Sequence, residues 1–300
     1  MKVSLGSPSQ KSPPATKNSG RGHRSRDGTF RPIPEPGPTD WLANHIEEGQ
    51  PFEEFLHGER NTPGSTRTCI YLQPLWEIDS VRGPPLSALR EFTSCYFRMP
   101  VKLLPTLFPP MDAFAPRKSR LPGLQSQVHA GRALEFLTDR VPEDAFCVAA
   151  VTMADLYPDT SWNFVFGYAS YTERVGIFSF ARYDPALYGS GLTAGNGRLL
   201  LKRCCKILAH ETGHMFGMAH CIRYHCVMNG SNHLGESDAQ PLHLCPDCLR
   251  KLRHGTGFEI SRRYHDLQTF YRKVGFEQEA QWVNKRLERM EGDDVRESER

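Results

Sequence analysis

Between residues 210 and 228 the chain reads HETGHMFGMAHCIRYHCVM, which gathers four of its twelve histidines and two of its nine cysteines. His210 and His214 are four residues apart. On a helix that spacing sets both imidazoles on one face, a turn apart, where they can grip one metal ion. Glu211 adjoins the first of them. Its carboxylate can reach a water held at the ion, take its proton and pass it to a leaving amine. Gly217 stands where a left-handed glycine would end the helix. The chain would then turn sharply and deliver His220 to a third metal position. Three neutral ring nitrogens and one water make an open tetrahedral zinc site. The bland alternative is a helix with satisfied core histidines. HExxH alone is a weak signal, but Gly217 and His220 in register make that alternative poor.

A second set of soft ligands begins at the next residue. Cys221 and Cys226, then Cys245 and Cys248, form the pattern C-x4-C and C-x2-C. Four thiolates in two close pairs suit a closed, structural zinc site. His225, His233 and His243 are alternative ligands, and disulfides are another alternative. The opening MKVSLGSPSQKSPP lacks the apolar core of a secretory signal, and nine cysteines is an odd number. The expectation is therefore an intracellular chain, cytoplasmic or nuclear, with reduced thiols and metal ligands. A metal at the cysteines would hold His220 from behind and make folding metal-dependent. Met228, in CVMNGSN, is the candidate to pack under the histidines without binding metal; an ordinary core methionine is the alternative. Cys204 and Cys205 read as buried small hydrophobes. Cys69, Cys95 and Cys147 read as core, and Asp155 and Tyr157 as capping and packing residues. Glu236 and Asp238 are divided between orienting a ligand histidine and surface solvation.

HExxHxxGxxH followed by a methionine turn is the metzincin signature. Here it continues as HExxHxxGxxHCx4CxM with a later CxxC, and in that form it resembles the archaemetzincins of the vertebrate type, over about residues 69–290. The segments IYLQPL, TMADLYP, NFVFG and GSNHLGESD share the resemblance. It implies a zinc peptidase, aminopeptidase-like, with a zinc-activated water. Catalytic zinc would fall on His210, His214 and His220, the general base on Glu211, and structural zinc on Cys221, Cys226, Cys245 and Cys248. Two zinc ions per chain and a peptide or protein substrate follow from it. An extended substrate would pair with an edge strand, for which Asn163–Gly167 is a candidate, with an ordinary sheet strand as the favoured alternative. Residues 1–40 depart from the family pattern.

The elements must hold these residues in place. At 39% hydrophobic, 300 residues can bury one sizeable core. The fold class expected is α/β (α+β): a metzincin-like domain with a mixed, mostly parallel sheet, an active-site helix, a cysteine-bound zinc subsite and C-terminal helices. Strands are expected at Cys69, at Val101–Leu107 and at Phe146–Met153, then a hairpin from WNFVFGYAS and VGIFSFARY. Helices are expected over Leu86–Tyr96, Val128–Val141 and from Arg198 to Met215, with two more near 259–274 and 276–290. GSGLTAGNG reads as a flexible lead-in to the motif helix. No apolar run is long enough to span a membrane. Residues 1–31 hold seven Lys or Arg against Asp27 alone, whereas the whole chain is only +3. The domain reading is thus a disordered basic tail at 1–40, a short helical and loop lead-in at 41–68, the metallopeptidase-like domain at 69–290 and a frayed tail at 291–300.

Hydrolysis is one of three functions weighed. A zinc-stabilised, non-catalytic binding or scaffold protein is the alternative, and Glu211 argues against it because a scaffold needs no carboxylate there. Nucleic-acid binding at the cysteine site is weakest, since VMNGSNHLGESDAQPLHL contains no Lys or Arg for phosphate. Oligomeric state is not legible.

Overall fold

The computed structural model of the chain describes residues 2–4, 28–79, 82–191 and 193–298. In chain order the elements begin with β1 (Lys2–Ser4), α1 (Trp41–Asn44), α2 (Phe52–His57), β2 (Cys69–Pro74), α3 (Leu86–Phe97) and β3 (Val101–Leu103). Then come β4 (Arg117–Lys118), β5 (Ser126–His129), α4 (Ala130–Thr138), β6 (Ala145–Thr152), β7 (Asp155–Tyr157), β8 (Gly167–Ser170) and β9 (Val175–Ser179). The helices α5 (Ala194–Met215), α6 (Leu234–Ala239), α7 (Pro246–Thr256), α8 (Ile260–Val274) and α9 (Glu277–Ser298) complete the order.

Six strands form one sheet in the order β1-β8-β9-β6-β2-β3. The pairs β3–β2, β2–β6 and β6–β9 are parallel; β9–β8 and β8–β1 are antiparallel. The sheet is thus mixed and mostly parallel, as the alternation of strand and helix signals predicts. β2 and β6 are buried at every position. Alternate residues point to opposite faces. Ile70 and Leu72 enter the core packed by α3, α5, α8 and the cysteine region, while Cys69 and Tyr71 enter a second core under α4. Burial on both faces is why these strands are nearly continuous apolar runs. A second, three-stranded sheet, β4-β5-β7, flanks the main one. There Asp155 is buried and takes two hydrogen bonds from Arg182, at 2.7 and 2.8 Å, and one from Ser119. That buried ion pair joins β7 to the segment after β9.

Several boundaries differ from the sequence expectation. The strand at Val101 stops at Leu103, short of the expected Leu107; Pro105 lies just beyond and cannot donate to a ladder. The helix expected from Val128 begins at Ala130, because His129 is its cap, Nδ1 accepting from Arg132 N. The motif helix α5 starts at Ala194, with Thr193 Oγ1 accepting from Asn196 N, so half of GSGLTAGNG is helical. α9 runs to Ser298, where fraying is expected from 291. Two short helices, α6 and α7, were not anticipated.

The expected basic tail divides. Residues 1 and 5–27 lie outside the described residues. Lys2–Ser4 pairs with β8, and residues 28–40 are docked. Phe30 is buried, with its ring 5.6 Å from Trp282 and 6.1 Å from His243. Ile33 N donates to Arg223 O, and His225 N to Arg31 O. One aromatic anchor and a backbone ladder thus outweigh the polar composition of this stretch. No helix among the described residues is long and apolar enough to cross a membrane.

Candidate metal centres

α5 carries His210, Glu211 and His214 on its buried C-terminal half. At 22 residues it is about 33 Å long. Its apolar stripe, including Leu201, Cys204, Cys205 and Leu208, packs into the larger core. Cys204 and Cys205 are fully buried, and burial pushes both thiols well above their usual range, which makes them inert. Opposing that stripe, Arg203 donates to both oxygens of Asp238, at 2.9 and 2.6 Å. Lys206 donates to the carbonyl oxygens of Ser237 (2.6 Å) and Gln240 (2.7 Å). Burial pulls the Lys206 ammonium down to about 8. These bonds tie α5 to α6 and so hold the loop that returns under the histidines.

The helix ends as the sequence predicts. Gly217 has φ of +87°, and its N–H donates to His214 O. A Cβ there would meet Arg60 and Glu59 at 3.1 Å, so glycine is needed for both conformation and space. The chain turns and brings His220 to the other two rings. Ring centroids lie 4.6 Å (His210–His214), 5.2 Å (His210–His220) and 5.0 Å (His214–His220) apart.

Each ring is oriented through Nδ1. His210 donates to Val227 O at 2.8 Å, His214 to Met218 O at 2.7 Å and His220 to Glu47 Oε1 at 2.7 Å. This leaves three Nε2 lone pairs facing one another. Nε2 of His210 and of His214 are 2.9 Å apart. Burial first, and His220 second, push His210 down to about 3; burial drives His214 well below its usual range as well. Both rings are therefore neutral at neutral pH. Two lone pairs so close repel unless they share a cation. His220 Nε2 is buried and has no hydrogen-bond partner among the described residues. The three ligand atoms lie within 4.8 Å of one another, which accommodates a tetrahedral ion at ~2.0–2.1 Å from each.

Glu211 is 0% exposed, and neither carboxylate oxygen has a hydrogen-bond partner among the described residues. Burial alone pushes this carboxyl up to about 8. An enclosed acid with no donor is costly unless it serves something outside the protein's own bonding. Gly167, the first residue of β8, lies against it; a Cβ there would sit 2.9 Å from Glu211 Cγ. The strand beside the centre is thus β8. The expected edge, Asn163–Gly167, joins it only at Gly167: Val165 makes a single bridge to Leu156. The outer side of β8 is paired with β1.

Met228 is fully buried beneath α5. A Cβ at Gly213 would meet its Sδ at 2.6 Å, so the thioether occupies the groove between the two helical histidines. Its carbonyl accepts from Cys221 N at 2.8 Å, which ties the turn to the residue after His220.

Cys221, Cys226, Cys245 and Cys248 converge with all sulfurs within 4.8 Å of one another. Cys221 Sγ and Cys245 Sγ are 3.7 Å apart. A tetrahedral zinc thiolate, at about 2.3 Å per bond, sets sulfurs about 3.8 Å apart, far beyond the ~2.05 Å of a disulfide. All nine cysteines are free, so the disulfide alternative falls. Cys245 caps α7, its Sγ accepting from Cys248 N, with Pro246 at the first helical position. The helix N-terminus favours thiolates at this cap. Cys226 Sγ accepts from Met228 N and Cys245 N. Hydrogen bonds from the other three sulfurs hold Cys221 well below the usual thiol range. His225 and His243 are outside this group, and His243 instead stacks on Trp282 at 3.8 Å. His233 falls in a separate cluster with Asp40 and Glu236. There its Nε2 donates to Asp40 Oδ1, and its Nδ1 accepts from Glu236 N as the cap of α6.

The divided reading of Glu236 and Asp238 resolves against the histidines. Glu236 and Asp238 do not touch a ligand histidine: Glu236 accepts from Trp41 N and Asn232 N, and Asp238 pairs with Arg203. The carboxylate on His220 is Glu47, 173 residues upstream in the lead-in. Nothing local to WLANHIEEGQ marks it. Burial raises the Glu47 carboxyl, but the hydrogen bond and charge of His220, with Trp41, outweigh it and lower the carboxyl on balance.

The chain is similar to several known proteins. The model of peptidase family M54 matches residues 130–254. The chain is 41% identical over 268 residues to archaemetzincin-2 of Macaca fascicularis, covering 79% of this chain and 73% of that one. It is 40% identical to human archaemetzincin-2 over the same shares, and 32% identical to human archaemetzincin-1, covering 78% of this chain and 52% of that one. Among solved structures, an archaemetzincin from Archaeoglobus fulgidus, complexed with malonate, aligns with 27% identity and a TM-score of 0.48 over 61% of this chain and 99% of that one. A zinc-dependent peptidase from Methanocorpusculum labreanum aligns with 26% identity and a TM-score of 0.49 over the same shares. The class is that of the zinc-dependent metallopeptidases, which act on peptides or proteins. Within that class the chain belongs to the archaemetzincin family.

Proposed function

We propose that His210, His214 and His220 hold a catalytic zinc ion, that Glu211 is the general base, and that Cys221, Cys226, Cys245 and Cys248 hold a second, structural zinc. The observation that carries the reading is the pair of neutral Nε2 atoms 2.9 Å apart, with the unpartnered Glu211 carboxylate on the same helix. When bound, zinc supplies Lewis acidity toward a scissile carbonyl and lowers the pKa of water toward ~7. The remaining roles belong to the chain. The carbonyls of Val227 and Met218 fix the tautomers of His210 and His214, so that lone pairs and not N–H groups face the ion. Glu211 takes the proton of the attacking water and returns it to the departing amine. A cation beside it would pull its carboxyl back down from the high value that burial imposes, and keep it ionised for that role. Met228 supports both helical ligands from below. β8 begins at Gly167, directly beside Glu211, and walls that side of the centre. The non-catalytic reading leaves the buried Glu211 carboxylate without a purpose.

The test is digestion of a defined peptide library, read by mass spectrometry, with and without chelator, alongside elemental analysis. Chelator-sensitive cleavage and about two zinc ions per chain are expected. The cut positions also report whether cleavage is aminopeptidase-like. No cleavage by fully zinc-loaded protein would overturn the catalytic reading.

A further inference from the structure

Residues 41–50 lie across the third histidine, and their bonds converge on it. Glu47 Oε1 accepts from His220 Nδ1 at 2.7 Å and from Trp41 Nε1 at 2.9 Å. The Trp41 ring meets the His220 ring edge-on at 5.1 Å. Trp41 is in turn fixed by Glu236, which accepts from its backbone N–H at 2.8 Å, and by Gly230, where a Cβ would come within 2.5 Å of the indole. His45 stacks on its other side at 3.8 Å. Three residues past Glu47, Gln50 grips the turn that leads to His220: Nε2 donates to Gly217 O at 3.0 Å, and Oε1 accepts from Ala219 N at 3.1 Å. The buried Lys251 holds Gln50 from below through its carbonyl and side-chain oxygens.

The three histidines differ in one respect. His210 and His214 are oriented by backbone carbonyls, of Val227 in the segment that returns beneath α5 and of Met218 in the turn that ends it. His220 sits on an irregular segment, and among the described residues its Nδ1 bonds to the Glu47 side chain and to no backbone carbonyl. We infer that Glu47 is a positioning residue for the metal centre: its carboxylate sets the tautomer and aim of His220, so that metal affinity depends on docking of the 41–50 segment. The inference rests on the metal reading above and adds the group that orients the third ligand. A carboxylate at Nδ1 also makes the opposite nitrogen a better donor, and such outer partners typically contribute 10–100-fold in metal affinity.

The experiment measures zinc affinity at the histidine centre by chelator competition, with the cysteine centre left loaded, and records the visible spectrum of the cobalt-substituted protein. Glu47→Ala is expected to weaken affinity 10–100-fold and to alter the cobalt spectrum. Glu47→Gln keeps an acceptor oxygen without the charge and should fall between Ala and wild type. Trp41→Phe leaves the carboxylate on His220 and should lose less than Glu47→Ala. Glu48→Gln, on the exposed neighbour, should match wild type. Circular dichroism identifies any variant that fails to fold, and the near-isosteric Glu47→Gln then carries the test. Glu47→Ala and Glu47→Gln both within twofold of wild type, with an unchanged cobalt spectrum, would overturn the inference. A wild-type protein holding no ion sensitive to His214→Ala would instead overturn the metal reading itself.

Discussion

The histidine centre and the cysteine centre meet at the peptide bond between His220 and Cys221, yet their surroundings differ. The sulfurs of Cys226 and Cys245 accept backbone N–H groups, and one of the four cysteines caps a helix. Three members lie on irregular segments and Cys248 in the first turn of α7, and four thiolates would fill a coordination shell. At the histidines the protein supplies three nitrogens and then a carboxylate with nothing of its own to bind. The first arrangement is complete in itself. The second would be completed by an ion and a water. Under the proposed function, similar burial therefore has opposite meanings: at the cysteines it would protect a structural joint, and at Glu211 it would prepare a reactive group.

The comparison can be broken most directly by asking which centre depends on the other. Cys245→Ser should release the cysteine-bound ion, unfold the 220–260 region and so empty the histidine centre too. Structural zinc contributes about 10–16 kcal/mol of apparent binding free energy in small domains, more than most folds can lose. Elemental analysis of the purified variant should find neither ion. His214→Ala should remove one ion and leave the other, with circular dichroism unchanged. If Cys245→Ser keeps the histidine-bound ion, the two centres are independent.

Next in size is Glu211→Gln, which retains both ions while hydrolysis falls by about 10²–10⁴-fold. Full activity in that variant would remove the general-base assignment. A smaller effect follows from burial. With only the histidine centre stripped, the folded-state carboxyl of Glu211 is near 8, against an ordinary 4.5. The folded state then binds more protons than the unfolded state between those values, so stability is lost as pH rises through 8. His210, lowered to about 3 from 6.5, acts in the opposite sense and loses stability as pH falls below 6.5. Between pH 6.5 and 8 the melting temperature of the stripped wild type should fall, and that of stripped Glu211→Gln should be nearly flat. Equal slopes would place Glu211 in a wetter setting than the structure gives it. Smallest is Met228→Leu, a near volume-conserving change expected to cost under ~1.5 kcal/mol in denaturant unfolding. A far larger loss would mean that the thioether does more than pack.

What the sequence made legible follows from distance along the chain. His210, Glu211 and His214 share a helix, and Gly217 and His220 follow within six residues, so the 3.6-residue repeat and one glycine place them. The cysteine pairs are each local, and the loop between them is short. β2 and β6 were readable because strands buried on both faces are apolar throughout. Glu47 was not, because its only link to the site is a contact across 173 residues, and its neighbours look like any short polar helix. The strand beside the site was placed a few residues early, since WNFVFG has strand-like composition and only tertiary pairing decides that β8 starts at Gly167. Phe30 shows the same limit: one buried ring docks a segment whose composition reads as solvated.

Lys206 carries a consequence for chemical labelling. Its ammonium is lowered to about 8, which leaves a larger share as free amine at neutral pH than on an ordinary lysine, but it is sealed under carbonyls between α5 and the loop at Ser237–Gln240. An acylating reagent should mark exposed lysines at once and reach this one only when that seam parts. The rate at which Lys206 is acylated is then a clock for the seam's opening, read residue by residue without a substrate.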